Sequence, residues 1–178
     1  MKVVIINSSP RVNGNSHMLC RQFAKGAIES GHEAEIISLR EKEIAPCKAC
    51  YGCSRSHVCV QKDDMEEIFH DLQQADVIVL ASPVYFYSIS GPLKIMIDRC
   101  LVDHKILKNK KFYFIVTAAD PRREAIEATL ESMRGFVKCL PEATEEKVIC
   151  GAGMWDAGDV YRHRAYEIAY ETGKRLGI

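Results

Sequence analysis

The sequence lacks the features of a membrane-spanning, exported or nucleic-acid-binding protein. Its longest apolar runs, at residues 3–6 and 77–81, are far shorter than the roughly 20 residues of a membrane-spanning helix. The N-terminal stretch has one lysine and a four-residue apolar run and then turns polar, unlike a secretory signal. Lys plus Arg and Asp plus Glu both count 24, so the formal net charge is zero, and no basic cluster is interleaved with aromatics. We therefore expect a cytoplasmic protein without a nucleic-acid or membrane partner.

Apolar runs alternate with helical patterns along the chain, and its 178 residues, 47% of them hydrophobic, suit one domain over residues 1–178. Strands are predicted at residues 3–7, 34–39, 76–81, 112–117 and 147–150. Helices are predicted at residues 16–30, 65–73, 121–138 and 160–176, with a further one that Pro92 opens and that includes Leu101. Asp64 and Glu67 are predicted to form a capping box. This alternation predicts an α/β fold with a mostly parallel sheet covered on both faces.

The loop after the first predicted strand has the composition of a phosphate site. It reads NSSPRVNGNS over residues 7–16 and leads into a helix, whose free N–H groups and dipole favour an anion. Ser9, Asn15 and Ser16 can donate to phosphate oxygens, and Arg11 can add a charge-assisted hydrogen bond. The carboxyl end of a strand is also where doubly wound folds bind ligands. The alternative is an Asn-Gly turn followed by Ser16 as an ordinary N-cap.

The motifs that the sequence lacks narrow the class of phosphate-bearing ligand that this loop could bind. The sequence has neither G-x-G-x-x-G nor G-x-x-x-x-G-K-[ST], and Pro10 removes an N–H where a dinucleotide-binding turn uses glycine. The loop also has no cysteine nucleophile, which argues against a small α/β phosphatase. The terminal phosphate of a mononucleotide fits best.

Two further loops follow the third and fourth predicted strands. The first reads SPVYFYSISGPLK from Ser82, and its Tyr85 and Phe86 can form one wall of the apolar slot that a flat ring needs, with backbone groups of residues 83–86 as donors. The alternative is that these aromatics fill a gap between sheet and helix. The second loop contains Thr117, Ala118 and Ala119 and is assigned to the same edge by position alone.

The two longer loops resemble the FMN loops of the NAD(P)H-dependent FMN reductases and related flavodoxin-like proteins. The resemblance is carried by S-S-P-R-x-x-G-N-S from Ser8 and by S-P-V-Y-F…G-P-L-K…D-R from Ser82 to Arg99. It implies a flavodoxin-like three-layer sandwich with a five-stranded parallel sheet. It also implies an FMN whose ring lies against Pro83, Val84, Tyr85 and Phe86, at a subunit interface of a homodimer or homotetramer.

Four of the eight cysteines lie within thirteen residues, as Cys47-x2-Cys50-x2-Cys53-x5-Cys59, in an irregular stretch at about 40–62. Without an export signal, metal binding or redox chemistry is favoured over disulfides. Compact cysteine runs of this kind ligate iron–sulfur clusters, whereas zinc more often takes two pairs with a longer spacer. Zinc and uncomplexed thiols are the alternatives. His57 lies between two of these cysteines; a solvated loop residue is favoured for it over a fifth donor.

The wider string APCKACYGC at residues 45–53, with Cys59 and the D-D-M run at residues 63–65, resembles the iron–sulfur flavoproteins of archaea and bacteria. This resemblance implies a four-iron, four-sulfur (4Fe-4S) cluster on Cys47, Cys50, Cys53 and Cys59. It extends from the first loop through Arg99 and fades after the fourth strand.

FMN accepts a hydride or single electrons, so the sequence predicts an FMN-dependent NAD(P)H oxidoreductase. Electrons would pass between NAD(P)H, or a reduced protein donor such as ferredoxin, and a small acceptor or electron-transfer partner. No side chain is predicted to act as an acid or a base, because the flavin carries the chemistry. The alternatives are a non-enzymatic carrier reduced by ferredoxin and a redox or metal sensor.

Overall fold

The computed structural model describes residues 1–177 and contains a five-stranded sheet with helices on both faces. The strands are β1 (Lys2–Asn7), β2 (Glu33–Ser38), β3 (Val77–Pro83), β4 (Lys111–Ala118) and β5 (Thr144–Ala152). The helices are α1 (Asn15–Glu29), α2 (Cys53–Ser56), α3 (Met65–Gln74), α4 (Gly91–Arg99), α5 (Arg123–Val137) and α6 (Ala165–Lys174). Residue 178, which the single-domain prediction includes, lies outside the described residues. Within the described part of the chain, every helix is too short or too polar to cross a bilayer.

All neighbouring strands are parallel and the order is β2-β1-β3-β4-β5, the flavodoxin-like order. The predicted α/β three-layer fold is therefore confirmed. Successive residues of β1 supply opposite faces: Val4 and Ile6 belong to one apolar cluster, and Val3 and Ile5 to the other. Burial on both faces explains why the central strands are continuous apolar runs. From β1 the chain runs to β2 on one side, and from β2 it crosses back past β1 to β3 on the other side. The carboxyl ends of β1 and β3 therefore form a topological switch point.

The cysteine stretch and the chain after β5 differ most from the sequence prediction. Strand β5 begins three residues before its predicted start, and a 3-10 turn at Asp159–Arg162 precedes α6 instead of a continuous helix. The predicted capping box is wrong. Asp64 accepts a hydrogen bond from the backbone N–H of Glu43 (2.6 Å), and Glu67 forms an ion pair with Lys42. Both carboxylates therefore hold the segment before the cysteines rather than the start of α3.

Helices α1 and α6 cross at a very short distance because each contributes a glycine. A Cβ atom built on Gly26 would lie 2.1 Å from the carbonyl oxygen of Tyr170, and one built on Gly173 would lie 2.1 Å from that of Phe23. Backbone atoms fill both positions, so only a residue without a side chain permits this crossing. The crossing fixes α1, whose N-terminus faces the switch point.

Candidate functional site

The loops that follow β1 and β3 are joined by buried serine hydroxyls at the switch point. The N–H and hydroxyl of Ser8 both donate to the carbonyl of Ala81, at 3.0 and 2.8 Å. Ser90, at the start of α4, donates from its hydroxyl to the hydroxyl of Ser8 at 2.7 Å, and its own N–H donates to the hydroxyl of Ser82. This network sets the first loop, the end of β3 and the start of α4 in one fixed arrangement.

The N-terminus of α1 has the features of an anion cradle. Its N-cap is Gly14, with no side-chain cap and no acidic residue in the first turn, so the positive end of the helix is not neutralised from within. A Cβ on Gly14 would lie 2.8 Å from the Ser9 hydroxyl and 3.0 Å from the Arg11 Cβ. A side chain at this position would therefore fill the cradle. The residues fit the phosphate that the sequence resemblance implies.

One cleft brings together most of the residues that the sequence assigned to the cofactor. Its predicted lining residues are Ser9, Arg11, Asn15, Ser16, Pro83, Val84, Tyr85, Thr117 and Ala119. The space that they enclose is about 100 Å³, whereas sites that bury a small ligand reach roughly 300–1,000 Å³. The cleft is therefore large enough to take a phosphate and part of its chain, while a ring would lie at its open mouth.

Two predicted residues lie outside this cleft. Phe86 is fully exposed, and Ala118 is buried in the apolar core with its carbonyl accepting the N–H of Met154. The hydroxyls of Ser16 and Thr117 lie 2.6 Å apart and hydrogen-bond to each other across the cleft floor. The cofactor roles of all these residues stay predictions.

The sequence reasoning missed a fourth loop, after β5, which closes one side of the cleft. Met154 and Trp155 line the cleft, with Trp155 74% exposed, and the guanidinium of Arg11 donates to the Trp155 carbonyl at 3.4 Å. The side chain of Asn15 is committed to the same loop: its amide donates to the Asp156 carbonyl, and its oxygen accepts the N–H groups of Gly158 and Val160. Asn15 therefore fastens the start of α1 to the loop after β5, and its role as a phosphate donor stays a prediction. The sequence signal for this loop is its position directly after a parallel strand, at the edge of the sheet where such folds bind ligands.

The aromatic segment after β3 forms a tight turn that presents Phe86 to solvent. Tyr85 and Ser88 exchange backbone hydrogen bonds of 3.0 Å, and Phe86 and Tyr87 between them have φ of 50° and 61°. Left-handed backbone in residues other than glycine costs roughly 1–3 kcal/mol each. The N–H of Val84 donates to the Thr117 carbonyl, so the N–H groups of Val84 and Tyr85 both have partners within the protein. Backbone contacts from residues 83–86 to the ring stay a prediction.

A polar triad outside the cleft holds this turn against the loop after β4. The Arg122 guanidinium donates to the Tyr87 hydroxyl at 2.7 Å and to Asp120 at 2.6 Å. The hydrogen bonds from Arg122 lower the pKa of Asp120 to about 2, so the carboxylate is ionised at any ordinary pH. The triad ties Tyr87 to the loop after β4 and in this way helps to hold the strained turn in place.

The cysteine segment is irregular apart from the single turn of α2. Ala49, Tyr51 and His57 have left-handed backbone, and the His57 ring pairs with Asp103 at 3.0 Å. All four clustered cysteines are free thiols, Cys50 exposed and the other three half-buried. Within residues 1–177 no three His, Cys, Asp or Glu side chains are grouped as a site for a single metal ion. Four thiols in one segment are the donor set that an iron–sulfur cluster with thiolate ligands requires. The cluster itself stays a prediction.

Arg99, at the end of α4, lies beneath the cysteine segment and is 3% exposed. Its guanidinium pairs with both oxygens of Asp63, at 2.6 and 3.0 Å, and lies 3.4 Å from the sulfur of Cys59. Hydrogen bonds from Arg99 hold the pKa of the Asp63 carboxyl below its usual value. In the sequence Arg99 stands out only as part of a motif, and no local pattern pairs it with Asp63.

The fold and the cleft at its switch point define a flavodoxin-like α/β protein with a phosphate-sized cradle. The chain belongs to the NADPH-dependent FMN reductase family, which it matches over residues 1–142. An iron–sulfur flavoprotein of Methanosarcina thermophila is 36% identical over 77% of this chain and 73% of that protein. One of Methanocaldococcus jannaschii is 43% identical over 56% of this chain.

The chain spans only about half of the M. jannaschii protein, 51% of its length. Among solved structures, the NAD(P)H:quinone oxidoreductase from Methanothermobacter marburgensis has a TM-score of 0.75 at 19% identity, covering 100% of this chain and 96% of that one. An FMN-dependent NADH-azoreductase from Bacillus anthracis, in complex with FMN, has a TM-score of 0.75 at 16% identity over 100% of both chains. At these identities the two structures support the fold alone.

Proposed function

We propose that this protein is an FMN-dependent oxidoreductase that takes electrons from NAD(P)H and passes them to a small acceptor. The observation that carries the proposal is the uncapped N-terminus of α1, facing Ser9 and Arg11 at the switch point where flavodoxin-like folds bind FMN. Membership of the NADPH-dependent FMN reductase family supports the same cofactor and donor.

The chain's own contribution is to bind and orient the cofactor. The first-turn N–H groups of α1 and the Ser9 hydroxyl bind the phosphate, and Arg11 adds a positive charge. Tyr85 and the exposed Trp155 stand at the mouth of the cleft, on the loops after β3 and β5, and shield the ring from water. When bound, FMN supplies two-electron chemistry with NAD(P)H and one-electron chemistry with other partners.

We propose further that Cys47, Cys50, Cys53 and Cys59 hold a 4Fe-4S cluster. The four free thiols in one short segment and the nearby cationic Arg99 support this assignment. When bound, such a cluster supplies one-electron transfer. An electron carrier reduced by ferredoxin is the competing function, because a cluster beside FMN suits a single-electron donor as well.

Cofactor binding is tested first, with FMN titrated into apoprotein and followed by quenching of flavin fluorescence. We expect tight binding by wild type, and an affinity weakened at least about tenfold by Arg11→Gln, the loss of one charge-assisted hydrogen bond. Arg175→Gln is the matched control, because Arg175 is exposed and, among residues 1–177, forms an ion pair with Glu171 near the end of α6. Failure of wild type to take up FMN would refute the proposal.

Anaerobic stopped-flow mixing then separates the two functions. Flavin bleaching that is fast with NADPH supports the reductase, whereas slow bleaching with NADPH and fast reduction by ferredoxin favours the carrier. Iron and acid-labile sulfide are measured on the same anaerobic protein. A spectrum of flavin alone, without iron, would refute the cluster and leave the FMN assignment in place.

We also propose that a second copy of the chain covers the mouth of the cleft. The fully exposed Phe86, with Tyr85 and Trp155 beside the cleft, supports a homodimer or homotetramer at this edge. Light scattering on the purified protein measures the assembly. A monomer at micromolar concentration, or a dimer that Phe86→Ser leaves intact, would contradict this proposal.

A further inference from the structure

The guanidinium of Arg99 joins the two ends of the cysteine segment. Its Nη1 donates to the Ala45 carbonyl at 2.7 Å, two residues before the first clustered cysteine, and both of its terminal nitrogens donate to Asp63, four residues after the last. Asp63 in turn accepts the N–H groups of Ala45 (3.0 Å) and Met65 (3.2 Å). A loop of about eighteen residues is therefore closed at its base by one ion pair between the buried Arg99 and the half-buried Asp63.

The same side chain also reaches into the cysteine set. Nη2 donates to the sulfur of Cys59 at 3.4 Å, a normal length for a hydrogen bond to sulfur. The Arg99 Nε is buried and has no hydrogen-bond partner among the described residues. A buried donor without a partner is costly in a native protein, and this one belongs to the cation that contacts Cys59.

Helix α4 connects Arg99 to the cofactor cleft. Ser90 precedes the first residue of α4 and is hydrogen-bonded to Ser8 of the cradle loop, while Arg99 is the last residue of the helix. Nine helical residues span about 13 Å. The base of the cysteine loop and the cradle are thus attached to opposite ends of one short helix, so a change at Arg99 alters the placement of the cysteines relative to the cleft.

We propose that Arg99 is a positioning residue that closes the cysteine loop and, through its hydrogen bond to the Cys59 sulfur, sets the retention and the reduction potential of the centre that the loop holds. The inference rests on the proposed function, because it takes the cysteines to be ligands. A positive charge and an N–H donor beside a thiolate ligand favour the state with one more electron. Without Arg99 the loop opens at its base, and the centre becomes harder to reduce.

Hydrogen exchange on protein stripped of iron tests the positioning role without any cluster. In Arg99→Gln we expect the peptide that spans residues 43–65 to exchange at least about tenfold faster, because the ion pair that closes the loop is lost. The matched control is Arg175→Gln, which removes an exposed ion pair at the end of α6. Unchanged exchange in a folded Arg99→Gln protein would overturn the proposal. Arg99→Lys is the second variant if Arg99→Gln fails to fold, since lysine keeps the positive charge but cannot form the paired hydrogen bonds that the guanidinium makes with Asp63.

The effect on the centre is measured by iron and sulfide content after anaerobic reconstitution and by a potentiometric titration. We expect Arg99→Gln to retain less iron than wild type, and its centre to become about tenfold harder to reduce, which is about 59 mV more negative for one electron. The iron content and reduction potential of Arg99→Lys should lie between those of wild type and Arg99→Gln. All variants should bind FMN with wild-type affinity. Wild-type iron content and potential in both variants would overturn the proposal. If wild type binds FMN but no iron, the proposed cluster fails, and the exchange experiment alone decides the role of Arg99.

Discussion

Replacing Gly173 by alanine should destabilise the protein, although alanine is the better helix former. The added Cβ would lie 2.1 Å from the carbonyl oxygen of Phe23, 2.9 Å from its carbonyl carbon and 3.0 Å from the backbone nitrogen of Ala27. These are all backbone atoms, so no side chain can rotate away. Helices α1 and α6 must instead separate by about 1 Å within a close-packed interior.

The magnitude follows from two opposing contributions. Overpacking usually costs 1–3 kcal/mol and more when the backbone itself must move, so we take about 3–4 kcal/mol here. Replacing a helical glycine by alanine returns about 1 kcal/mol, which leaves a net loss of about 2–3 kcal/mol. For a chain of this length, each kcal/mol lowers the melting temperature by about 2–4 °C. We therefore expect Gly173→Ala to melt about 4–12 °C below wild type.

The assay is thermal unfolding followed by circular dichroism on cofactor-free protein, so that ligand binding does not shift the transition. The matched control is Gly135→Ala in α5, where an added Cβ would meet no atom beyond its own helical turn within 4 Å in the described part of the chain. This variant should gain about 1 kcal/mol from helix propensity and melt about 2–4 °C higher. If Gly173→Ala melts at or above wild type, the close crossing of α1 and α6 is refuted.

Three further outcomes are expected. Gly14→Ala should weaken FMN binding by about tenfold or more, because its Cβ would lie 2.8 Å from the Ser9 hydroxyl. The control variant Gly91→Ala should bind FMN normally, since among the described residues its Cβ would meet no atom beyond its own helical turn within 4 Å, and equal affinities of the two variants in a fluorescence titration would contradict the cradle. Arg122→Gln should speed hydrogen exchange in residues 84–89, because the Tyr87 hydroxyl loses its 2.7 Å partner; unchanged exchange would argue against the triad. Asp63→Asn should lose about 3 kcal/mol of stability in urea at neutral pH. Because the native pKa of Asp63 is lowered, the stabilising effect of its carboxylate is present above about pH 3.9 and is lost as the pH falls through the native pKa. A stability difference between wild type and Asp63→Asn that stays constant down to the acid limit would contradict this.

The class of fold was readable from the sequence because it depends on short-range patterns. The apolar run from Val77 to Ala81 belongs in a strand buried on both faces, and the turn residues after β1 predict a phosphate loop. These signals involve neighbouring residues, so they survive without knowledge of the tertiary structure. The predicted capping box failed for the opposite reason, since Asp64 and Glu67 are engaged by Glu43 and Lys42, more than twenty positions away.

Tertiary structure decided which distant groups complete the site. The Asn15 side chain lies against the loop after β5, 141 positions along the chain at Asp156, and Trp155 enters the cleft with that loop. Arg99 pairs with Asp63 at a separation of 36 positions and contacts Ala45 at 54. No periodicity or spacing encodes such pairs, because they arise only when parallel strands and their crossover helices set loop ends side by side. The sequence by itself therefore determined the sheet, the cradle and the cysteine set, and the packing of α4 and of the loop after β5 determined how these parts are held together.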